Sequence, residues 1–196
     1  MIRQTAPTLD GIREDHIARY RLALQVAQQN KLRTAIDVGA GIGYGAHMLA
    51  SAGLNVLAIE ADPEANDYGE QHYRHPSLQR QTVSATGYQF PQADLCVMLE
   101  FVEHVHSIAD ILANASRACR YAVVSTPNEA TNPHRLHSHP DHVRHYTPSE
   151  LEELLTETGW SVTHWYTQHG KRKGKAAITE GTAGKTIIAI ARSMNL

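Results

Sequence analysis

Residues 34–52, TAIDVGAGIGYGAHMLASA, run from a five-residue apolar stretch through four glycines into a helical pattern that stops at Gly53. A strand that passes straight into a helix cannot be the first arm of a hairpin. The next strand must therefore return parallel to it across the helix. The rest of the chain repeats this unit. NVLAIE (Asn55–Glu60) reads as a second strand, followed by a helix with Asp62 as N-cap and Pro63 at its first position. RQTVSA is a weaker third strand, and DLCVMLE, 94–100, is a strongly apolar fourth. Ile108, Ile111, Leu112 and Ala115 share one face of the next helix, where Ser107 and Asp110 resemble a capping box. YAVVSTP is a fifth strand. A further helix has Thr147 as N-cap, Pro148 first, Glu150 closing a capping box and Gly159 as its stop. WSVTHWYTQ and TIIAIAR read as closing strands. Ahead of the core, Ile17, Tyr20, Leu24 and Ala27 recur at helical spacing and predict an N-terminal helix.

This alternation predicts an α/β fold: a doubly wound sheet of about seven mostly parallel strands, with helices on both faces. At 196 residues the chain is read as one domain, 1–196, in which 1–32 form a helical cover and 128–146 a polar, His-rich loop. A net charge of −2 argues against a general nucleic-acid surface. The local basic run GKRKGK, 170–175, is read as a solvated loop. Cys96 and Cys119 are read as buried free thiols. With no signal-peptide core and no run of membrane-spanning length, a soluble, cytoplasmic protein is expected. Oligomeric state has no signature in the sequence.

In such sheets ligands bind beyond the carboxyl ends of the strands, near the point where strand order reverses. Gly39, Gly41 and Gly43 run G-x-G-x-G, with Gly45 beyond; the dinucleotide pattern G-x-G-x-x-G fails because Tyr44 stands at its last position. Asp37, two residues before the first glycine, is a poor neighbour for a pyrophosphate, since like charges repel at close range. It suits a ligand carrying an ammonium group. Glu60 ends strand two, 19 residues after Gly41, where it accepts hydrogen bonds from ribose hydroxyls. A nucleoside with a cationic amino-acid tail satisfies both acids. That description is S-adenosylmethionine, with S-adenosylhomocysteine as its product. Gly45 is read as letting the helix lie close to the sheet, which leaves Tyr44 to face the cofactor tail.

The same segments resemble the class I S-adenosylmethionine-dependent methyltransferases. AIDVGAGIGYG is similar to their first motif, LAIEADPEA to their second, ADLCVMLEFVEHV to their fourth and YAVVSTPNE to their strand-five segment. EDHIARY and HVRHYTPSELEELL resemble the flanks of a bacterial subgroup often found beside sugar and cell-envelope genes and, more distantly, the ubiquinone-type O-methyltransferases. The resemblance extends from about Asp15 to Gly170 and implies a Rossmann-like architecture. It implies a cofactor site of Asp37, Gly39, Ala40, Gly41, Gly43, Tyr44, Glu60, Ala61, Leu99 and Glu100. Arg19 and Tyr20 would cover it, Arg19 pairing the methionine carboxylate. Two departures stand out. NASRACRYAVV replaces the family's L-x-P-G-G turn. The acid expected after strand three, against the adenine amino group, is missing, and Ser84, Ala85 or Thr86 stands in its place.

Methyl transfer is an in-line displacement in which positioning supplies much of the rate, and a base near neutral pKa assists a hydroxyl nucleophile. Histidine fits that role. More than half of the 13 histidines lie between His104 and His145. His104 follows strand four and either faces substrate or caps the next helix. The loop NPHRLHSHPDHVRHY adds His134, His137, His139, His142 and His145 at the rim of the expected cleft. His142 and His145, fixed by Pro148 and the helix cap, are the candidate bases. The expected acceptor is a small molecule or sugar-like metabolite, methylated on oxygen or nitrogen, with no metal. A second reading takes Glu100, Glu103 and His104 (E-x-x-E-H) with His139 and His142 as a divalent-metal site orienting two adjacent hydroxyls. That pattern resembles the plant-type small-RNA 3′-terminal 2′-O-methyltransferases. The absence of an RNA-binding module and of an overall basic surface argues against RNA. A third reading is a cofactor-binding partner subunit without catalysis.

Overall fold

The computed structural model describes residues 4–135, 137–138, 140–170 and 176–196. Helix α1 (Glu14–Gln29) is followed by β1 (Thr34–Val38), α2 (Tyr44–Ser51), β2 (Asn55–Glu60), α3 (Pro63–His72) and β3 (Leu78–Thr82). The second half runs β4 (Ala93–Leu99), α4 (Ile108–Ala118), β5 (Cys119–Pro127), α5 (Pro148–Glu157), β6 (Trp160–Gln168), β7 (Ile178–Glu180) and β8 (Thr186–Ser193). All eight strands join one sheet in the order β3-β2-β1-β4-β5-β8-β6-β7. The β3-β2-β1-β4-β5 part is parallel throughout. β8 runs antiparallel to both β5 and β6, and β7 is antiparallel to β6. The predicted Rossmann-like sheet is therefore present with one strand more than the pattern showed. β7 is only three residues long, too short for a periodic signal.

The chain leaves β1 toward β3 and then returns to place β4 on the other side of β1. The order reverses there, and a crevice opens between the carboxyl ends of β1 and β4. Strand alternation divides the apolar residues between two layers. Ala35, Leu95, Val97, Ile188 and Ile190 face one side with α1 and α2. Ile36, Cys96, Met98, Ile187 and Ala189 face the other with α4 and α5. Both cysteines are buried and free.

Helix ends follow the sequence in two cases of three. Asp62 caps α3 by accepting from Glu64 N–H at 2.9 Å, and Thr147 and Glu150 form a complete capping box on α5. Ser107 makes no capping hydrogen bond at α4. Its ψ of 38° departs from the extended backbone a capping hydroxyl requires. Trp160 is fully buried and its Nε1–H donates to Leu112 O at 3.0 Å, which ties β6 to α4. Trp160→Ala should cost about 3–5 kcal/mol. Urea denaturation checks this as a lowered midpoint with an unchanged slope.

Candidate active site

A cavity of about 980 Å³ lies over the carboxyl ends of β1, β2 and β4 and reaches the 128–146 loop. The glycine turn runs left-handed at Gly39, Gly41 and Gly43, with φ of +71, +57 and +76°. Glu60 holds its shape: Gly41 N–H donates to Oε2 at 2.8 Å and Asp62 N–H to Oε1 at 3.0 Å. One carboxylate thus pins the turn after β1 to the start of α3.

Asp37 does not line this cavity. It is buried, and both its oxygens accept from the Tyr20 hydroxyl, at 3.1 and 3.0 Å. Tyr20 itself lines the cavity. Gly45 makes this contact possible: a Cβ there would sit 1.8 Å from Cζ of Tyr20. Gly45 therefore serves the Tyr20 ring, which corrects the expectation that it brings helix and sheet together. Gly43 also stays out of the cavity wall. The Arg80 guanidinium occupies the space its Cβ would need, at 1.9 Å. Burial pushes the Asp37 carboxyl up to about 7; the Tyr20 hydrogen bond and Arg80 oppose the shift, and Glu60 adds to it.

Of the other cofactor residues read from sequence, Gly39, Ala40, Gly41, Tyr44, Glu60, Ala61, Ser84, Ala85, Leu99 and Glu100 line the cavity, as does Thr86. Arg19 lies outside the wall. It is almost fully buried in α1 and its Nη1 donates to Gln168 Oε1 at 2.9 Å. Nη1 also lies 3.8 Å from Glu100 Oε1, and Nη2 has no hydrogen-bond partner among the described residues. Glu100 adopts φ +54°, a conformation that strains a non-glycine residue. Its N–H is held by Ser125 O and Oγ at 3.0 and 3.1 Å, and Ser125 Oγ donates back to its carboxylate at 3.2 Å.

The histidines divide by position. His104 and His142 line the cavity, with ring centroids 4.6 Å apart. His145 is buried behind them, outside the cavity wall, and is bonded to His142 and to Asn132, both of which line the cavity. Tautomers follow from the partners. A carbonyl only accepts, so His145 Nδ1–H donates to Asn132 O at 2.7 Å. His145 Nε2 is then an acceptor, and His142 Nδ1–H donates to it at 2.7 Å. His104 Nδ1–H donates to Asp141 O at 2.8 Å, not to a helix end. In the neutral rings, Nε2 is the lone-pair nitrogen of both His104 and His142. Val143 N–H donates to Glu103 O at 2.7 Å, so the loop is docked directly on the turn Val102–His104. His137 is exposed and His134 half-buried. His139 and residues 171–175 of the basic run lie outside the described residues.

Sequence reading missed His16, Gln168 and Lys185, which also line the cavity. His16 sits one turn before Tyr20 on α1, a spacing that was legible; its Nδ1 is 3.0 Å from the Tyr44 hydroxyl. Burial, reinforced by Arg19, lowers its pKa to about 3. Gln168 ends β6 and Lys185 stands just before β8; nothing in the local pattern of either segment marked it as reaching the cavity.

A methyltransferase-domain family matches residues 11–165, more than half of the chain. The chain belongs to this family, in the class I fold that uses S-adenosylmethionine. A probable S-adenosylmethionine-dependent methyltransferase of Mycobacterium tuberculosis is 27% identical over 163 residues, covering 80% of this chain and 59% of that protein. The chain thus spans about three-fifths of the length of such relatives. Two solved structures share the fold at low identity. The N-methyltransferase NodS of Bradyrhizobium japonicum, in complex with S-adenosylhomocysteine, has a TM-score of 0.70 at 13% identity over 91% of this chain and 87% of its own. The magnesium protoporphyrin IX methyltransferase of Synechocystis, with bound S-adenosylhomocysteine, has a TM-score of 0.67 at 15% identity over 91% of this chain and 82% of its own. No helix among the described residues is long and apolar enough to cross a membrane.

For this methyltransferase, Asp37 makes stability depend on pH. Its carboxyl titrates at about 7 when folded against 3.8 as the ordinary value, so between those limits the folded state binds a proton that the unfolded state has lost. The associated stability is full below the lower value and is lost as pH rises through the upper one. Depressed His16 acts in the opposite sense, losing stability as pH falls below 6.5. Comparison with Asp37→Asn cancels the His16 contribution. The melting-temperature difference should move in the variant's favour between about pH 5 and about pH 8, as read by calorimetry on the cofactor-free protein.

Proposed function

We propose that this chain transfers the methyl group of S-adenosylmethionine to an oxygen or nitrogen of a small, sugar-like acceptor. The observation that carries the reading is the composition of one continuous cavity. Part of its wall is the glycine turn with Glu60, Tyr20 and Tyr44; another part is the paired imidazoles of His104 and His142. The first part suits a nucleoside with an amino-acid tail. Glu60 offers acceptors where a ribose would lie, and the buried acid behind Tyr20 favours a cationic tail. Ser84, Ala85 and Thr86 take the place of the missing adenine-facing acid. Arg19, behind the wall, faces the carboxylates of Asp15 and Glu100 at 3.9 and 3.8 Å and supports this side of the cavity from beneath.

S-adenosylmethionine, when bound, supplies an electrophilic methyl on a sulfonium sulfur. The chain's own residues do the rest. Glu60 and the glycine turn position the nucleoside. The 128–146 loop covers the acceptor and limits water. The Asn132–His145–His142 chain of hydrogen bonds holds the His142 ring in one orientation, so an acceptor hydroxyl or amine entering the cavity meets an imidazole fixed in place as its base. His145 acts as a positioning residue in this scheme.

The test is methyl transfer from radiolabelled S-adenosylmethionine to a panel of hydroxylated and aminated metabolites. His142→Ala should lower turnover by about 10²–10⁴-fold while cofactor affinity is retained. Glu60→Ala should weaken cofactor binding by roughly 10–100-fold in calorimetric titration. A native chain that binds S-adenosylmethionine but methylates nothing in a broad panel would favour the non-catalytic partner subunit. One that fails to bind it would overturn the reading.

A further inference from the structure

We propose that Arg80 is a positioning residue of the cofactor site: from β3 it supplies the positive charge behind the glycine turn against which Asp37 ionises when an ammonium-bearing cofactor arrives. The role rests on the methyltransferase reading of the cavity. Arg80 itself stands outside the cavity wall, in the weak third strand.

Strand register brings the two groups together. Asp37 on β1 pairs with Ala58 on β2, and Ala58 pairs with Arg80 on β3. Residues in register across parallel strands project from the same face. The three therefore form one row on the side of α1 and α2, with Asp37 and Arg80 two strand spacings apart, roughly 10 Å between backbones. The residue between them is a fully buried alanine, whose small side chain leaves an arginine free to reach toward the acid.

The guanidinium fills a hollow that two glycines leave. A Cβ on Gly43 would sit 1.9 Å from its Nη1, and one on Gly69 of α3 would sit 2.6 Å from it. The side chain is only 4% exposed. Nη2 donates to Tyr73 O at 3.0 Å, while Nη1 has no hydrogen-bond partner among the described residues. Glu70 Oε1 lies 3.6 Å from Nε, but Glu70 is itself exposed and water screens it. A buried cation answered by one screened acid keeps much of its field, and that field falls on Asp37 through a poorly screened interior. Asp37 is thus held from two sides. Tyr20, admitted by Gly45, gives it a hydrogen; Arg80, admitted by Gly43, gives it charge without contact.

Burial raises the Asp37 carboxyl to about 7 and lowers Arg80, and each charge favours the other. The acid is poised where a cation decides its state. Without Arg80 it would stay protonated over a wider range, and part of the ligand's binding free energy would go into removing that proton. Tyr44 and His47 on α2, Glu60 on β2 and Cys96 on β4 also face this pair, and the Ala46 N–H donates toward Asp37. An Asp37→Asn background separates their titration from that of Asp37.

The experiment is calorimetric titration of S-adenosylhomocysteine, which carries the same ammonium tail, into the full chain, Arg80→Met and Arg80→Lys, each with and without Asp37→Asn. Arg80→Met should bind roughly tenfold more weakly near about pH 6.5, and the ratio to the native chain should narrow as rising pH ionises Asp37 in both. Taking the ratio at each pH cancels the titration of the ligand's own amine. Arg80→Lys, which keeps the charge, should keep most of the native affinity and its pH dependence. With Asp37→Asn, the pH-dependent part of the Arg80→Met effect should vanish. Equal affinity of Arg80→Met and the native chain at every pH overturns the inference. So does a loss that is constant with pH, that is unchanged by Asp37→Asn, or that is as large in Arg80→Lys; each leaves Arg80 a structural residue only. A native chain that binds no nucleoside fails the cofactor reading and this inference with it, a result distinct from any difference between variants. Should Arg80→Met not fold, as judged by circular dichroism, Arg80→Gln, neutral but still able to donate to Tyr73 O, is held to the same criteria.

Discussion

The hydrogen bond between the Tyr20 hydroxyl and buried Asp37 is the contact on which the site depends. It joins the N-terminal helix to the end of the central strand, at the place where strand order reverses. It exists only because Gly45 carries no side chain. The ring that enters this space also stands edge-on to Tyr44, with centroids 5.6 Å apart, and Tyr44 in turn meets His16. α1 is thus held by the cavity it covers and not by apolar packing alone. Gln168 completes the attachment from the far side: its amide donates to Asp15 O and Ala176 O, and its carbonyl accepts from Arg19.

Asp37 meets an energetic conflict that a cationic ligand would resolve. Buried without a formal charge partner in contact, the carboxyl favours its protonated form, and Tyr20, whose own ionisation is pushed up by burial and by Asp37, only donates one hydrogen. An ammonium group arriving beside Tyr20 would stabilise the ionised acid at a distance, in a medium where charges are poorly screened. This is a different role from direct contact, and it is the one open to an acid that lies outside the cavity wall.

The fold was largely legible because its signals are local. β1, β2, β6 and the capped helices α3 and α5 are each written in a short stretch, through apolar runs, Asp62-Pro63 or Thr147-Pro148. The cavity wall at the ends of β1, β2 and β4 was legible for the same reason, since its residues close consecutive strands. Depth was not legible. Whether Asp37, Gly43 or Arg19 faces the cavity or lies beneath it depends on Tyr20, Arg80 and Gln168 arriving from other elements. The histidine half was harder still. Spacing alone left Glu100, Glu103, His104, His139 and His142 equivalent; among the described residues, the docking of Asp141 and Val143 brings His142 to Glu103 and His104, and Glu100 stands apart with Ser125 and Arg19. Ser107 shows the converse error: a capping pattern without the backbone conformation to use it.

Glu100 ties the two halves of the cavity together, and its backbone shows how. At φ +54° it turns the chain sharply at the end of β4, between Leu99 on one side and Glu103 and His104 three and four residues later, all of which line the cavity. Such a conformation persists only where surroundings over-determine it. Here they do, through two hydrogen bonds from its N–H to Ser125, one from Ser125 to its carboxylate, and the charge of Arg19 3.8 Å away. Arg19 is in turn fixed by Gln168. The strain at one residue is therefore shared by α1, β4, β5 and β6, the elements that frame the cavity.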